Sequence, residues 1–232
     1  MTIDDALLAA LAKVDTPTVC NTLELLVPER RGYGYTVERL VCTRPHLAPI
    51  VGFARTATIR AAHPSDVSGA AARKRQDDYY AYIAGGRKPT IVVIQDIDAQ
   101  RGYGSFWGEV NSHIHRGLGC LGVVTDGAVR DVPDIADGFQ LLADRIGPSH
   151  AFVHVLDVGR TVNVAGMRVG DGDLVHADQH GAVVIPEDVA AKVPATAALL
   201  ARRERVIIEA SKQPGFGLEQ LRKAIGAAAG IH

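Results

Sequence analysis

Apolar side chains recur along the chain at spacings that change from helical to strand-like and back. Residues 3–13 and 16–26 place apolar positions on one helical face, and the pair Thr16-Pro17 is typical of a helix start. Residues 28–49 lose this pattern because prolines and glycines interrupt them. We therefore expect two N-terminal helices followed by a long irregular connection with room for one short strand.

The middle of the chain shows two kinds of strand pattern. Residues 52–62 alternate apolar and polar positions, as a half-buried strand does, whereas residues 90–96 and 120–125 are apolar runs typical of buried strands. The segments before the second and third strands, 65–84 and 107–116, have helical spacing and end at glycines that favour a helix C-terminus. The pattern predicts strands that alternate with helices.

The last part of the chain returns to β structure and then to helices. From Asp131 onward the segment VPDIADGF has helical spacing. Residues 151–186 contain several short β-like runs separated by turns, and residues 187–229 are helical with two proline-containing breaks. We expect residues 1–232 to form a single α/β domain, in which helices flank a central β layer and the C-terminus is helical.

Composition limits the classes of function. A chain of 232 residues that is 47% hydrophobic can bury a substantial core. Its formal net charge of -1, its 5% aromatic content and the lack of a basic run predict no nucleic-acid partner. No apolar stretch reaches membrane-spanning length, and the acidic N-terminus does not resemble a secretory signal. Three scattered cysteines, Cys20, Cys42 and Cys120, favour reduced thiols in the cytoplasm over a disulfide framework or a zinc site.

The segment GSFWGEVNSHIHRGLGCLGVVTDGAVRD, residues 104–131, holds the most informative charged residues. Glu109 falls in the first turn of a predicted helix, where free backbone N–H groups and the helix dipole favour a small anion. Arg130 and Asp131 follow the predicted strand 120–125, and open α/β sheets bind ligands where strands end. The positions of these residues at the start of a helix and the end of a strand favour a ligand site that involves Glu109, Arg130 and Asp131.

Each of these residues also has a purely structural interpretation. Asp131 could act only as a helix N-cap, which contributes ~0.5–2 kcal/mol. Arg130 could be a surface arginine paired with Asp134 or Asp137, and Glu109 a favourable first-turn acid on a solvated helix. The pair Asp126-Gly127 could mark a two-residue hairpin. Spacing alone does not decide between the structural and the functional interpretations.

The same segment resembles the core of the family that contains 4-hydroxy-4-methyl-2-oxoglutarate aldolases and the regulator of ribonuclease E activity A, also labelled dimethylmenaquinone methyltransferase-like. Aldolases of that family have an acidic residue, twenty intervening positions and then Arg-Asp, and Glu109 precedes Arg130-Asp131 by that interval. The resemblance extends over about residues 15–209, and residues 169–186 are similar to the family's late β hairpin. It implies a swivelling α/β/β/α sandwich of the phosphohistidine-domain type, assembled as a homotrimer or a dimer of trimers.

The resemblance also implies residue roles. Arg130 would bind the keto oxygen and the carboxylate region of a small 2-keto acid. Asp131 would hold Mg²⁺, or Mn²⁺, whose other ligands would be mainly water and substrate oxygens. His154 stands where some aldolases have a lysine for the substrate tail, and Glu204, or else Glu209, would be the glutamate supplied by a neighbouring subunit. The substrate carboxylate would be bound by the backbone amides of Gly108, Glu109, Val110 and Asn111.

This set of residues suits carbon–carbon bond cleavage. Breaking the bond next to a 2-keto acid leaves an enolate of pyruvate, which a metal ion and a fixed guanidinium stabilise. An aldol cleavage also needs a base for the hydroxyl proton, and Glu109 could position a water for it. The resemblance thus implies a metal-dependent aldolase that cleaves a 4-hydroxy-2-keto acid to pyruvate and a second carbonyl compound, with oxaloacetate decarboxylation as a further activity. The alternative is a non-catalytic regulator that binds a ribonuclease or another protein.

Other reactive residues are less informative. A lysine Schiff base is the rival chemistry, but none of the six lysines lies within residues 104–131. His113 and His115 are two positions apart, so on a helix they point to different faces and make a poor metal pair. We expect both histidines on the helix surface or in a subunit contact.

Overall fold

The computed structural model describes residues 3–232 and contains three sheets and seven α-helices in that range. Short 3-10 turns occupy Pro28–Gly32 and Val132–Asp134. The helices are α1 (Asp5–Leu11), α2 (Thr16–Leu26), α3 (Gly69–Ala84), α4 (Glu109–Gly117), α5 (Glu187–Ala190), α6 (Val193–Ser211) and α7 (Leu218–Ala229). The strands are β1 (Val41–Cys42), β2 (Ile50–Arg60), β3 (Thr90–Asp96), β4 (Ser105–Trp107), β5 (Cys120–Thr125), β6 (Ala128–Val129), β7 (Gln140–Ala143), β8 (Arg145–Ile146), β9 (His154–Val158), β10 (Val162–Val164), β11 (Met167–Val169), β12 (Leu174–Asp178) and β13 (Gly181–Ile185).

The main sheet has eight strands in the order β1-β7-β5-β3-β2-β12-β13, with β9 as a further partner of β2. Its centre is parallel, because β2, β3, β5 and β7 all run in one direction. The edge strands are antiparallel to their neighbours, and β12 and β13 form a hairpin. Strands β4, β6 and β8 form a separate small parallel sheet, and β10 and β11 form a third, two-stranded one.

Both faces of the central strands are covered, which explains why β3 and β5 read as continuous apolar runs. One face packs against α3 and α4 through a cluster that includes Tyr79, Trp107 and Phe139. The other face packs against the β10–β11 hairpin through side chains such as Met167, while α1 and α2 cover the β12–β13 hairpin. The predicted α/β sandwich with a central β layer and a helical C-terminus is confirmed.

The structure corrects the prediction in two places. The prediction of a helix from Asp131 onward is wrong. A short 3-10 turn follows Asp131, and the chain then enters β7, which pairs with β5. The hairpin interpretation of Asp126-Gly127 is also wrong, since β6 pairs in parallel with β4 and β8 and not with β5. Both errors have one cause: the pairing partners lie far away in the sequence. Within residues 3–232, no helix combines the length and the apolar character that crossing a bilayer requires.

Candidate functional site

The candidate site forms where two neighbouring parallel strands end. Strands β4 and β6 pair with Trp107 opposite Val129, and the Arg130 amide donates a 2.8 Å hydrogen bond to the Trp107 carbonyl oxygen. Parallel strands that pair in register end at the same edge of a sheet. Gly108 and the pair Arg130-Asp131 therefore emerge side by side, although 21 residues separate Gly108 from Arg130 in the sequence.

Asp131 adopts a left-handed backbone conformation, with φ 53° and ψ 38°. Aspartate tolerates this region better than most residues. The turn brings the carboxylate to the start of α4, where its Oδ2 accepts a long, 3.4 Å hydrogen bond from the Glu109 amide. The N-cap interpretation of Asp131 is wrong, because its side chain makes no capping hydrogen bond to the turn that follows.

Gly108 makes this approach possible. A Cβ atom at position 108 would lie 2.6 Å from Asp131 Oδ2 and 3.1 Å from Arg130 Cγ, both closer than ordinary van der Waals contact. The backbone of Gly108 is extended, with φ -167°, which any residue can adopt. The requirement for glycine is therefore steric, and it concerns the side chains of Arg130 and Asp131.

The first turn of α4 presents free donors. The Ser112 amide makes the first helical hydrogen bond, to the Gly108 carbonyl oxygen, and the N-cap residue Gly108 has no side chain that could cap the helix. The amides of Glu109, Val110 and Asn111 precede that bond and have no acceptor within the helix; the Glu109 amide makes only the long hydrogen bond to Asp131, and the other two remain free within residues 3–232. The Glu109 side chain is exposed, and so is 68% of Val110. An uncapped helix start that is open to solvent is a site for a small anion.

Arg130 completes the charged part of the site. Its Nε lies 3.7 Å from Asp131 Oδ2, and 38% and 34% of the two side chains remain exposed. Such a pair contributes little to stability, so both groups can engage a ligand with little loss. The alternative pairing of Arg130 with Asp134 or Asp137 is not found among the ion pairs of residues 3–232.

A cavity of about 300 Å³ lies between these groups and α3. Arg130 is the charged residue of its wall, and neither a carboxylate nor a lysine contributes to that wall. Gln76 and His150 also belong to the wall, and no sequence pattern singled them out. The lining residues are Gln76, Ser105, Phe106, Gly108, Val110, Asn111, Arg130, His150 and Val153. The wall is thus suited to a small anionic molecule.

Glu109 and Asp131, at the start of α4, do not belong to this wall, and three further residues with expected roles also lie outside it. His154 is half-buried on β9 opposite Arg60, and its Nδ1 lies 2.7 Å from the Phe152 carbonyl oxygen. Glu204 is exposed on α6. Glu209 pairs with Lys212 at 2.9 Å, and this hydrogen bond lowers the pKa of its carboxyl. A single chain does not bring these three side chains to Arg130 and Asp131, so their roles stay predictions.

The expectation for one histidine of α4 is wrong. His113 is exposed, but His115 is fully buried. Its Nδ1 lies 2.6 Å from the Asn111 carbonyl oxygen and its Nε2 lies 2.8 Å from the Tyr79 hydroxyl. Burial lowers the pKa of His115 to about 4. Periodicity could not reveal this, because α3 covers the face of α4 that carries His115.

The donor set fits a divalent metal that is held mainly by water and substrate. Asp131 offers a partly exposed carboxylate whose Oδ1 has no hydrogen-bond partner among residues 3–232. Within the same range, no three His, Cys, Asp or Glu side chains cluster in a way that could enclose an ion. Mg²⁺ commonly uses one or two protein carboxylates and retains several waters. Asp131 is the residue that would hold such an ion here.

Comparisons with known proteins agree with this architecture. The sequence model of the RraA-like family, described as Aldolase/RraA, matches residues 16–184. An uncharacterised protein of Methanocaldococcus jannaschii is 30% identical over 124 residues, which are 53% of this chain and 60% of that protein, so the match leaves the rest of that relative uncovered.

Two solved structures are similar along most of their length. The crystal structure of an uncharacterised protein from Pseudomonas syringae pv. tomato has a TM-score of 0.72 and 25% identity, and the match covers 96% of this chain and 95% of that one. Streptomyces coelicolor RraAS2, described as an unusual member of the RNase ES inhibitor RraA protein family, has a TM-score of 0.66 and 22% identity over 88% of this chain and 96% of its own. The second likeness shows the fold alone.

Proposed function

We propose, because the chain belongs to the RraA-like (Aldolase/RraA) family, that it is a divalent-metal-dependent carbon–carbon lyase. Its substrate is a 4-hydroxy-2-keto acid, which it cleaves to pyruvate and a second carbonyl compound, and oxaloacetate decarboxylation is a further activity. One observation carries the proposal: Gly108 leaves room for the Asp131 carboxylate beside Arg130 and the free amides of α4.

The proposed binding mode follows from the charges around the cavity. The α4 amides of Glu109, Val110 and Asn111 bind the substrate carboxylate, and the helix dipole favours its negative charge. Arg130 donates hydrogen bonds to the keto oxygen, because its guanidinium stands beside the same cavity. The substrate is therefore held at its carboxylate and its keto group, next to the bond that breaks.

The chemistry requires stabilisation of negative charge on the keto oxygen. A divalent ion held by Asp131, Mg²⁺ or Mn²⁺, supplies Lewis-acid stabilisation at this oxygen when it is bound. Arg130 stabilises the same oxygen with a fixed positive charge that needs no reorientation during the reaction. Glu109 is exposed in the first turn of α4, and it positions the water that takes up the hydroxyl proton in aldol cleavage. Decarboxylation of oxaloacetate passes through the same enolate but needs no such base.

The distal end of the substrate meets Gln76 and His150 in this proposal. Both residues belong to the wall of the cavity, whereas His154 does not. His150 Nδ1 lies 2.7 Å from the Ala151 carbonyl oxygen, so this nitrogen donates and leaves Nε2 for the ligand. His150 thus takes over the tail-binding role that the sequence suggested for His154.

The proposed assembly is a homotrimer or a dimer of trimers in the cytoplasm. Glu204 is exposed and has no ion-pair partner within residues 3–232, so it is available to a neighbouring copy. In a trimer this glutamate would complete the site of the adjacent subunit, and Glu209 would be the second choice because Lys212 already pairs with it. Sedimentation analysis tests the assembly, and a monomer would exclude a glutamate from another subunit.

The activity is tested by measuring pyruvate release from oxaloacetate and from a 4-hydroxy-2-keto acid. We expect turnover with Mg²⁺ and none with excess EDTA, followed by recovery when Mg²⁺ is restored. Arg130→Ala should abolish most of this turnover, whereas Arg116→Ala, which removes an exposed arginine from α4, should leave it unchanged. Equal rates with Mg²⁺ and with EDTA would exclude the role of the metal.

The alternative function is a regulator that binds a ribonuclease. The observation in its favour is that one structural relative is described as a member of a ribonuclease inhibitor family. A pure binding protein has no chemical reason to keep Asp131 in a left-handed turn beside an uncapped helix. Capture of a purified ribonuclease E, together with no keto-acid turnover under any metal, would favour the regulator.

A further inference from the structure

The proposed carboxylate site lies at the first turn of α4, and two tyrosines of α3 form hydrogen bonds with this helix. Tyr79 and Tyr80 are neighbours on α3, and both hydroxyls form hydrogen bonds with side chains of α4. Gln76, one helical turn before Tyr80, belongs to the wall of the cavity. Residues four apart share a helix face, so Tyr80 lies on the side of α3 that faces the site.

The Asn111 side chain is fixed at both ends. Its Nδ2 donates a 2.6 Å hydrogen bond to the Phe106 carbonyl oxygen, and its Oδ1 accepts a 3.1 Å hydrogen bond from the Tyr80 hydroxyl. Phe106 lies in β4 and Tyr80 in α3, so Asn111 connects the start of α4 to both elements. Asn111 is also one of the three residues whose amides bind the substrate carboxylate in the proposed function, and its amide has no acceptor within the helix.

His115 restrains Asn111 as well, through the Asn111 carbonyl oxygen. Because Nδ1 faces a carbonyl oxygen at 2.6 Å, it carries the proton, and Nε2 must accept from the Tyr79 hydroxyl. Ser112 adds a third connection: its hydroxyl donates to the Glu109 carbonyl oxygen at 2.7 Å and accepts from the Ala136 amide at 3.0 Å. Side-chain bonds thus restrain the carbonyl oxygens of Glu109 and Asn111, on the side of the turn opposite its free amides.

We propose that Tyr80 is a positioning residue for the substrate carboxylate, because its hydroxyl holds Asn111 and thereby the orientation of the free amides of α4. This inference rests on the proposed function. The amides bind the carboxylate equally before and during bond cleavage, so weaker positioning raises KM and leaves kcat nearly unchanged. One neutral hydrogen bond sets the scale, and we expect roughly a three- to tenfold loss of affinity.

The test compares Tyr80→Phe with a matched control on the same helix, Tyr82→Phe. Tyr82 is also half-buried, and its hydroxyl also forms hydrogen bonds, with Asp171 and the Thr56 amide, but neither of these partners belongs to α4. Oxalate, a planar dianion that resembles the pyruvate enolate, is titrated calorimetrically into the Mg²⁺-loaded full-length proteins, and KM and kcat are measured for pyruvate release. Thermal unfolding of both variants reports any general loss of stability.

We expect Tyr80→Phe to raise the oxalate Kd and KM by the same factor at unchanged kcat, and Tyr82→Phe to change neither. Tyr80→Phe with unaltered oxalate binding, or an equal loss in both variants, would overturn the positioning role while leaving the proposed lyase intact. A fall in kcat without a rise in KM would also overturn it. If the unsubstituted protein binds no oxalate, the proposed function fails and this inference fails with it.

Discussion

Gly108→Ala is the substitution that addresses the geometry of the site most directly. Position 108 precedes α4, and its extended backbone accepts alanine without strain. The atoms nearest to the added methyl group all belong to the side chains of Asp131 and Arg130. The perturbation therefore displaces the proposed metal ligand while the fold stays intact.

The size of the displacement follows from one distance. The new Cβ would lie 2.6 Å from Asp131 Oδ2, and the oxygen has to retreat by about 0.8 Å to reach ordinary contact at 3.4 Å. Misplacing a reacting group by about 1 Å can lower a rate by about 100-fold. We expect turnover to fall by roughly 10- to 100-fold, together with weaker activation by Mg²⁺, because Asp131 can no longer lie against the start of α4.

The matched control is Gly117→Ala at the other end of the same helix. A Cβ at Gly117 meets nothing within 4 Å, and alanine favours a helix over glycine by up to about 1 kcal/mol. Pyruvate release is followed at increasing Mg²⁺ concentrations for both variants, and thermal unfolding is measured in parallel. Gly117→Ala should keep full turnover and unfold at the same temperature or slightly higher.

The reasoning about Gly108 would be refuted by two results. Full turnover of Gly108→Ala would mean that the position of Asp131 beside α4 does not matter for the reaction. A large loss of thermal stability would mean that the glycine serves the fold, since the structure predicts a local change in two partly exposed side chains.

Three further predictions test other groups. Arg130→Lys keeps the charge but loses the planar fork, so we expect at least tenfold lower turnover at nearly unchanged thermal stability, and wild-type turnover would contradict the role of the guanidinium. His150→Ala should raise KM for a keto acid with a polar tail and leave oxalate affinity unchanged, whereas equal losses for both ligands would place His150 elsewhere in the mechanism. Burial holds the pKa of His115 at about 4, below its ordinary 6.5, so its contribution to stability is complete above pH 6.5 and is lost as the pH falls towards 4. Urea unfolding at pH 7 and pH 5 should show a drop of roughly 1–3 kcal/mol that His115→Gln reduces and that His113→Gln, at an exposed position, does not.

Local patterns in the sequence determined most of the elements. The apolar runs 90–96 and 120–125 coincide with β3 and β5 over their full length, and the helical spacing of 16–26 coincides with α2. The two strands are buried on both faces, so they are apolar throughout, whereas the periodicity of α2 records the one face that it buries. The interval between Glu109 and Arg130-Asp131 could also be identified without a structure, because it is a property of the sequence alone.

Only the tertiary structure decided how the site is assembled. Trp107 lies opposite Val129 through hydrogen bonds between distant strands, and this pairing brings Gly108 against Asp131. The burial of His115 and the place of His150 in the cavity wall likewise depend on elements that are remote in the sequence. A periodic pattern reports which face of a segment is buried, but it contains no information about the partner that buries it. The elements of this protein could therefore be predicted from the order of its residues, whereas the contacts between strand ends that form its candidate site could not.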